Sequence, residues 1–81
     1  MKITNFKQLD DICDTIIAEH LPEHYTIYMT EEEKNETDEF LNKLSSCGVI
    51  KSLDPITGVE CDMIHYGGMR IYFVLNETIA W

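Results

Sequence analysis

Eighty-one residues make one small domain that buries only about 60% of its unfolded surface, with little room for both a core and an enclosed substrate pocket. An apolar content of 44% sets the chain apart from disordered sequences. Fifteen acidic residues against six basic ones give a formal net charge of −9, which argues against direct binding to nucleic acid or to an anionic membrane and admits a basic protein partner.

Met1, Lys2 and Ile3 form a short lead that suits an edge strand. Thr4 or Asn5 can cap a helix, and Phe6, Leu9, Ile12, Cys13, Ile16 and Ile17 then recur at helical spacing. Asp10, Asp11 and Asp14 lie away from that apolar stripe. The helix is expected to stop near Glu19 or His20, because Pro22 disfavours its continuation.

The β-prone run of residues 25–29 reads as a strand, with either Tyr25 and Ile27 or Tyr28 and Met29 leading its buried set. Thr30 followed by Glu33 is a capping box, and Glu31, Glu32 and Glu33 suit the positive end of a helix. This second helix is expected to reach about Ser46, with Gly48 at its stop. Only Thr37, Phe40, Leu41, Leu44 and Cys47 can form its buried face. The first half, residues 31–39, is therefore expected to project into solvent or against a partner.

Residues 49–53 read as a short strand, and residues 54–58 as a turn with Pro55 early and Gly58 late. Residues 59–75 alternate with period two around Gly67 and Gly68, the signature of an antiparallel hairpin. A two-residue Gly67-Gly68 loop sets Phe73 opposite Asp62. A three-residue loop pairs Met63 with Ile71, Cys61 with Phe73 and Val59 with Leu75, giving one clean apolar face, and is the expected register. In that register Arg70 shares the other face with Ile64, Tyr66, Tyr72 and Val74. Ile79 and Trp81 in the tail are candidates to fold back on the core. The resulting expectation is a two-layer α+β domain of order α-β-α-β-β-β with an antiparallel C-terminal hairpin.

Chemistry-bearing residues are dispersed. Cys13, Cys47 and Cys61 are odd in number and widely spaced, so reduced thiols in a cytoplasmic setting are expected rather than disulfides. No Cys-x-x-Cys pair or helical His-Glu motif marks a metal site, and Pro22 interrupts the spacing of His20 and His24. Cys61 and His65 share a strand face beyond hydrogen-bond reach, so no catalytic residue, metal or cofactor is expected. The N-terminus has no apolar leader, and no stretch approaches membrane-spanning length.

Charge carries the functional signal. Residues 10–39 hold eleven carboxylates and one lysine, Lys34, whereas residues 40–81 balance four against three. Carboxylates spaced on helices can occupy a basic groove meant for phosphates. Asp10, Asp11, Asp14, Glu31, Glu32, Glu33 and Glu36 are the candidate partner-binding carboxylates, with Tyr66, Arg70 and Tyr72 as short-range anchors. The alternative is an assembly subunit, a homodimer joined through the sheet edge or the tyrosine face.

Residues 40–51, from Phe40 to Lys51, resemble the last helix and first wing strand of a winged-helix domain, although the helix is acidic where that family is basic. In size and acidity the chain is similar to small phage or mobile-element inhibitors, including anti-CRISPR and DNA-mimic proteins. That resemblance is one of type. It implies a non-enzymatic inhibitor docking on a basic nucleic-acid-handling protein.

Overall fold

The computed structural model describes residues 1–43 and 48–76. Their elements are α1 (Phe6–Ala18), β1 (His24–Met29), α2 (Glu31–Leu41), β2 (Ile50–Leu53), β3 (Glu60–Tyr66) and β4 (Met69–Leu75). This is the expected α+β order with an antiparallel β3–β4 hairpin. The four strands form one sheet in the order β1-β4-β3-β2, with β1 parallel to β4 and the remaining pairs antiparallel.

Asn5 starts α1 by accepting from the Gln8 amide, while the Gln8 side chain accepts from the Asn5 amide. Leu9, Ile12, Cys13 and Ile16 form its buried face. The helix ends at Ala18, with His20 in the left-handed region at φ 54°. The His20 amide donates to Ile17 and the Leu21 amide to Ile16, so the stop is a Schellman motif built on a histidine. Backbone satisfaction, and not Pro22 alone, sets the boundary.

Both helices pack on one face of the sheet. Leu9, Ile12 and Ile16 of α1 and Leu41 of α2 join Ile27, Ile64, Ile71 and Phe73 in the main core. Ile3 completes it, fully buried, and its amide donates to the buried Thr37 hydroxyl at 3.0 Å. The lead is thus a plug against α2, where an edge strand was expected.

The hairpin register differs from the expected one. Asp62 faces Phe73, Met63 faces Tyr72 and Ile64 faces Ile71, around a two-residue loop with Gly67 at φ 57° and Gly68 at φ 79°. Two successive positive φ values match the twist of flanking strands, which is why Gly-Gly favours the tight loop. The single-apolar-face criterion failed because both faces are covered. Cys61, Met63, Tyr72 and Val74 form a second core on the face away from the helices. Asp62, stranded on the helical face, lies at the perimeter and is bridged there by Lys34 and Lys51, each at 2.7 Å.

Asp54 closes the second face. Its carboxylate accepts from Thr26 Oγ1 and Tyr28 Oη on β1, so the end of the β2–β3 hairpin folds across from the opposite edge. α2 ends at Leu41, short of the expected Ser46: Asn42 is its C-cap and the Lys43 amide turns back to the Phe40 carbonyl at 3.0 Å. The burial of Leu44 and Cys47 and the packing of Ile79 and Trp81 lie outside the described residues. The winged-helix resemblance goes no further than its local pattern, since β2 is an edge of a four-stranded mixed sheet.

Candidate functional site

The shared placement of α1 and α2 gathers the carboxylates on one side of the molecule, and ion pairing sorts them into two sets. Glu33 is held by its capping box and by the N-terminal ammonium at 3.0 Å. The Thr30 amide bond and that ammonium hold its carboxyl below the usual range. Glu36 pairs with Lys2 at 3.0 Å, and Asp11 with Lys7 at 3.2 Å. Lys34 bridges Asp38 and Asp62, and although burial disfavours its charge, those two carboxylates raise its pKa. Glu33 and Glu36 are thus parts of the scaffold, and the first half of α2 is not a bare projection. The exposed candidates Asp10, Asp14, Glu31 and Glu32 have no ion-pair partner among the described residues.

The proposed anchors do not form one face. Tyr66 lies on the helical side, packed on the main core, with its hydroxyl donating to Asp10 Oδ1 at 2.7 Å. Tyr72 belongs to the second core and is buried, its ring edge-on to His24. The cause is the register, which turns Ile64 and Tyr66 away from Tyr72. Arg70 is exposed on the Tyr72 side, between His65 and His24 on the neighbouring strands.

Sequence reasoning missed Phe6 as a surface group. Placed in the core stripe of α1, it is 51% exposed, edge-on to Phe40 at 5.4 Å and stacked on Tyr66 at 6.2 Å. Its helical phase held the signal: at 100° per residue Phe6 lies about 80° from Ile16, at the margin of the buried face. Ile17 shares that margin and is 63% exposed.

Nucleophilic chemistry is disfavoured at both described thiols. Burial pushes the Cys13 thiol up, and the Asp10 and Asp14 charges push it further. Burial and Asp54 do the same to Cys61, so both stay protonated. Among the described residues no group of three His, Cys, Asp or Glu side chains is placed to hold a metal ion. No helix among them is long and apolar enough to cross a membrane. Compared with known proteins, the chain matches no family model, no curated protein and no solved structure.

Proposed function

We propose that this chain is a small non-enzymatic acidic binding protein that docks through its helical layer on a basic, nucleic-acid-handling protein and acts there as an inhibitor. One observation carries the reading. Both helices pack on one sheet face, so Asp10, Asp14, Glu31 and Glu32 share one outer layer. Meanwhile Lys2, Lys7, Lys34 and Lys51 are each tied to a carboxylate of the same molecule. The layer thus presents unneutralised negative charge that competes with phosphates for a basic groove, in the manner of a DNA mimic or an anti-CRISPR-type phage protein. A cytoplasmic setting suits this partner and the free thiols of Cys13 and Cys61.

The test is the Glu31→Lys/Glu32→Lys double variant, which spares both Glu33 and Glu36. Retention of basic nucleic-acid-binding proteins at about 50 mM salt is expected to fall in the variant, and to fall for the wild type at about 500 mM. Equal retention by a normally folded variant counts against the reading.

A second reading, an assembly subunit, rests on the β2 edge. Leu53 is 61% exposed and Ile56 is 70% exposed, beside the exposed Val49 and Ile50. Apolar side chains along an edge strand suit pairing with another copy. Light scattering that returns a dimer mass, lost on Leu53→Lys, supports assembly over inhibition.

A further inference from the structure

We infer that the stripe formed by Phe6, Asp10 and Ile17 of α1, together with Tyr66 and Met69 of the hairpin, is a docking groove for a partner protein segment that carries an arginine between apolar side chains. This inference rests on the acidic-binder reading and names the chemistry at its short-range contact.

Helical phase places the stripe. Eleven residues separate Phe6 from Ile17, so they stand within about 20° of one azimuth and about 16 Å apart along the axis. Asp10 falls between them, about 40° from Phe6. The hairpin tip forms the second wall. Tyr66 stacks on Phe6 and bonds Asp10, and the Tyr66 carbonyl accepts from Cys13 Sγ at 3.6 Å. Beyond Ile17 the wall opens into a shallow hollow of about 340 Å³ lined by Ile16, Ile17, Leu21 and Met69 together with the polar His20 and Glu23, and its apolar part can take an aliphatic side chain.

Two features fix the occupant. Phe6 is exposed yet clamped by Phe40 and Tyr66, so it offers ring surface with little ordering entropy left to lose. Asp10 commits Oδ1 to Tyr66, and its other oxygen has no partner among the described residues. An aromatic face beside a carboxylate fits a guanidinium, which stacks on the ring and donates in its own plane to the acid. A lysine satisfies only the charge. A net charge of −9 disfavours nucleic acid or a second copy of this chain in the groove.

The test is panning of a random dodecapeptide display library on the immobilised protein, followed by amide-shift mapping with the enriched peptides. The expected result is enrichment of arginine flanked by apolar residues, with shifts at Phe6, Asp10, Ile17 and Tyr66. Asp10→Asn, which still accepts from Tyr66, and Phe6→Ala are each expected to weaken the peptide about tenfold. Replacing the peptide arginine with lysine is expected to cost several-fold. Ile17→Ser, at an exposed position, serves as a second variant should Phe6→Ala lose its fold. Peptides without arginine, shifts at Ile50 and Leu53 instead, or no enrichment overturn the inference. If Glu31→Lys/Glu32→Lys weakens retention of basic proteins while Asp10→Asn and Ile17→Ser leave it unchanged, the groove fails and the acidic-binder reading stands. If neither pair of variants affects retention, both fail.

Discussion

Tyr28 on β1 and Asp54 after β2 belong to opposite edges of the sheet, yet the tyrosine hydroxyl donates to Asp54 Oδ2 at 3.0 Å. Asp54 also accepts from Thr26, from the Thr57 hydroxyl at 2.6 Å and from the amides of Ile56 and Thr57. It is 1% exposed, and its bonds close the second core. Burial alone pushes the carboxyl up, but those bonds outweigh it and hold the group below the usual carboxylate range.

Asp54→Ala is therefore expected to cost about 2–3 kcal/mol, since it removes several bonds to a buried carboxylate and leaves the part-buried Thr26 and Tyr28 hydroxyls without their acceptor. The pH dependence follows from the sign of the shift. A depressed folded pKa gives stabilisation that is full above the unfolded value of about 3.9 and is lost as pH falls through the folded value. Asp62, held low by Lys34 and Lys51 against its own burial, acts in the same direction. Urea melts from neutral to acid pH should show wild-type stability falling below about pH 4. Asp54→Asn should start lower and fall less steeply there, and an unchanged acid limb contradicts this role for Asp54.

Thr37→Val keeps the shape of a fully buried side chain and removes the acceptor of the Ile3 amide. A loss of about 1–3 kcal/mol in a chemical melt is expected, because the amide is left unpaired in the core. A neutral result means that the lead segment does not need this bond to stay docked on α2.

His20→Gly is expected to stabilise the fold. An L-residue at φ 54° carries left-handed strain that glycine lacks. Glycine's greater unfolded freedom offsets part of the gain, leaving about 0.5–1 kcal/mol, readable as a rise in melting temperature. A fall instead points to a contact of the imidazole that outweighs the backbone strain.

Gly67→Ala and Gly68→Ala separate conformation from contact in the hairpin loop. Both force a side chain into positive φ, but a Cβ on Gly67 also meets Cys13 Sγ at 3.2 Å, while one on Gly68 meets open space. Each should cost about 1–2 kcal/mol. The Gly67 variant should be the worse, and Cys13→Ala should relieve it selectively. Cross-strand NMR contacts should pair Met63 with Tyr72, and a Met63–Ile71 pair returns the three-residue loop.

Element order and the starts of both helices were legible because caps, Gly-Gly and period-two alternation are local signals, whereas the end of α2 was not: it stops at Leu41, well before Gly48. Nor was the hairpin register legible. It depended on the second face being covered, and that cover comes from Asp54, which reads locally as an ordinary turn residue. The error moved Tyr66 and Tyr72 to opposite faces. Charge marked Glu33 and Glu36 as candidates because nothing in the sequence says that Met1 and Lys2 fold back onto α2. Phe6 read as core because Leu9, Ile12 and Ile16 share its spacing, but its phase puts it at the margin of that face, where Tyr66 and Phe40 cover it only in part.

Carbodiimide coupling tests the central claim most directly, since it joins carboxylates to partner lysines without a spacer. The complex with a basic protein retained at low salt is cross-linked and mapped by mass spectrometry. Couplings at Asp10, Asp14, Glu31 or Glu32 are the expected result, because these groups face outward from the helical layer. Couplings confined to Glu60, exposed at the β3 position that pairs with Leu53, would contradict docking through that layer and favour the β2 edge.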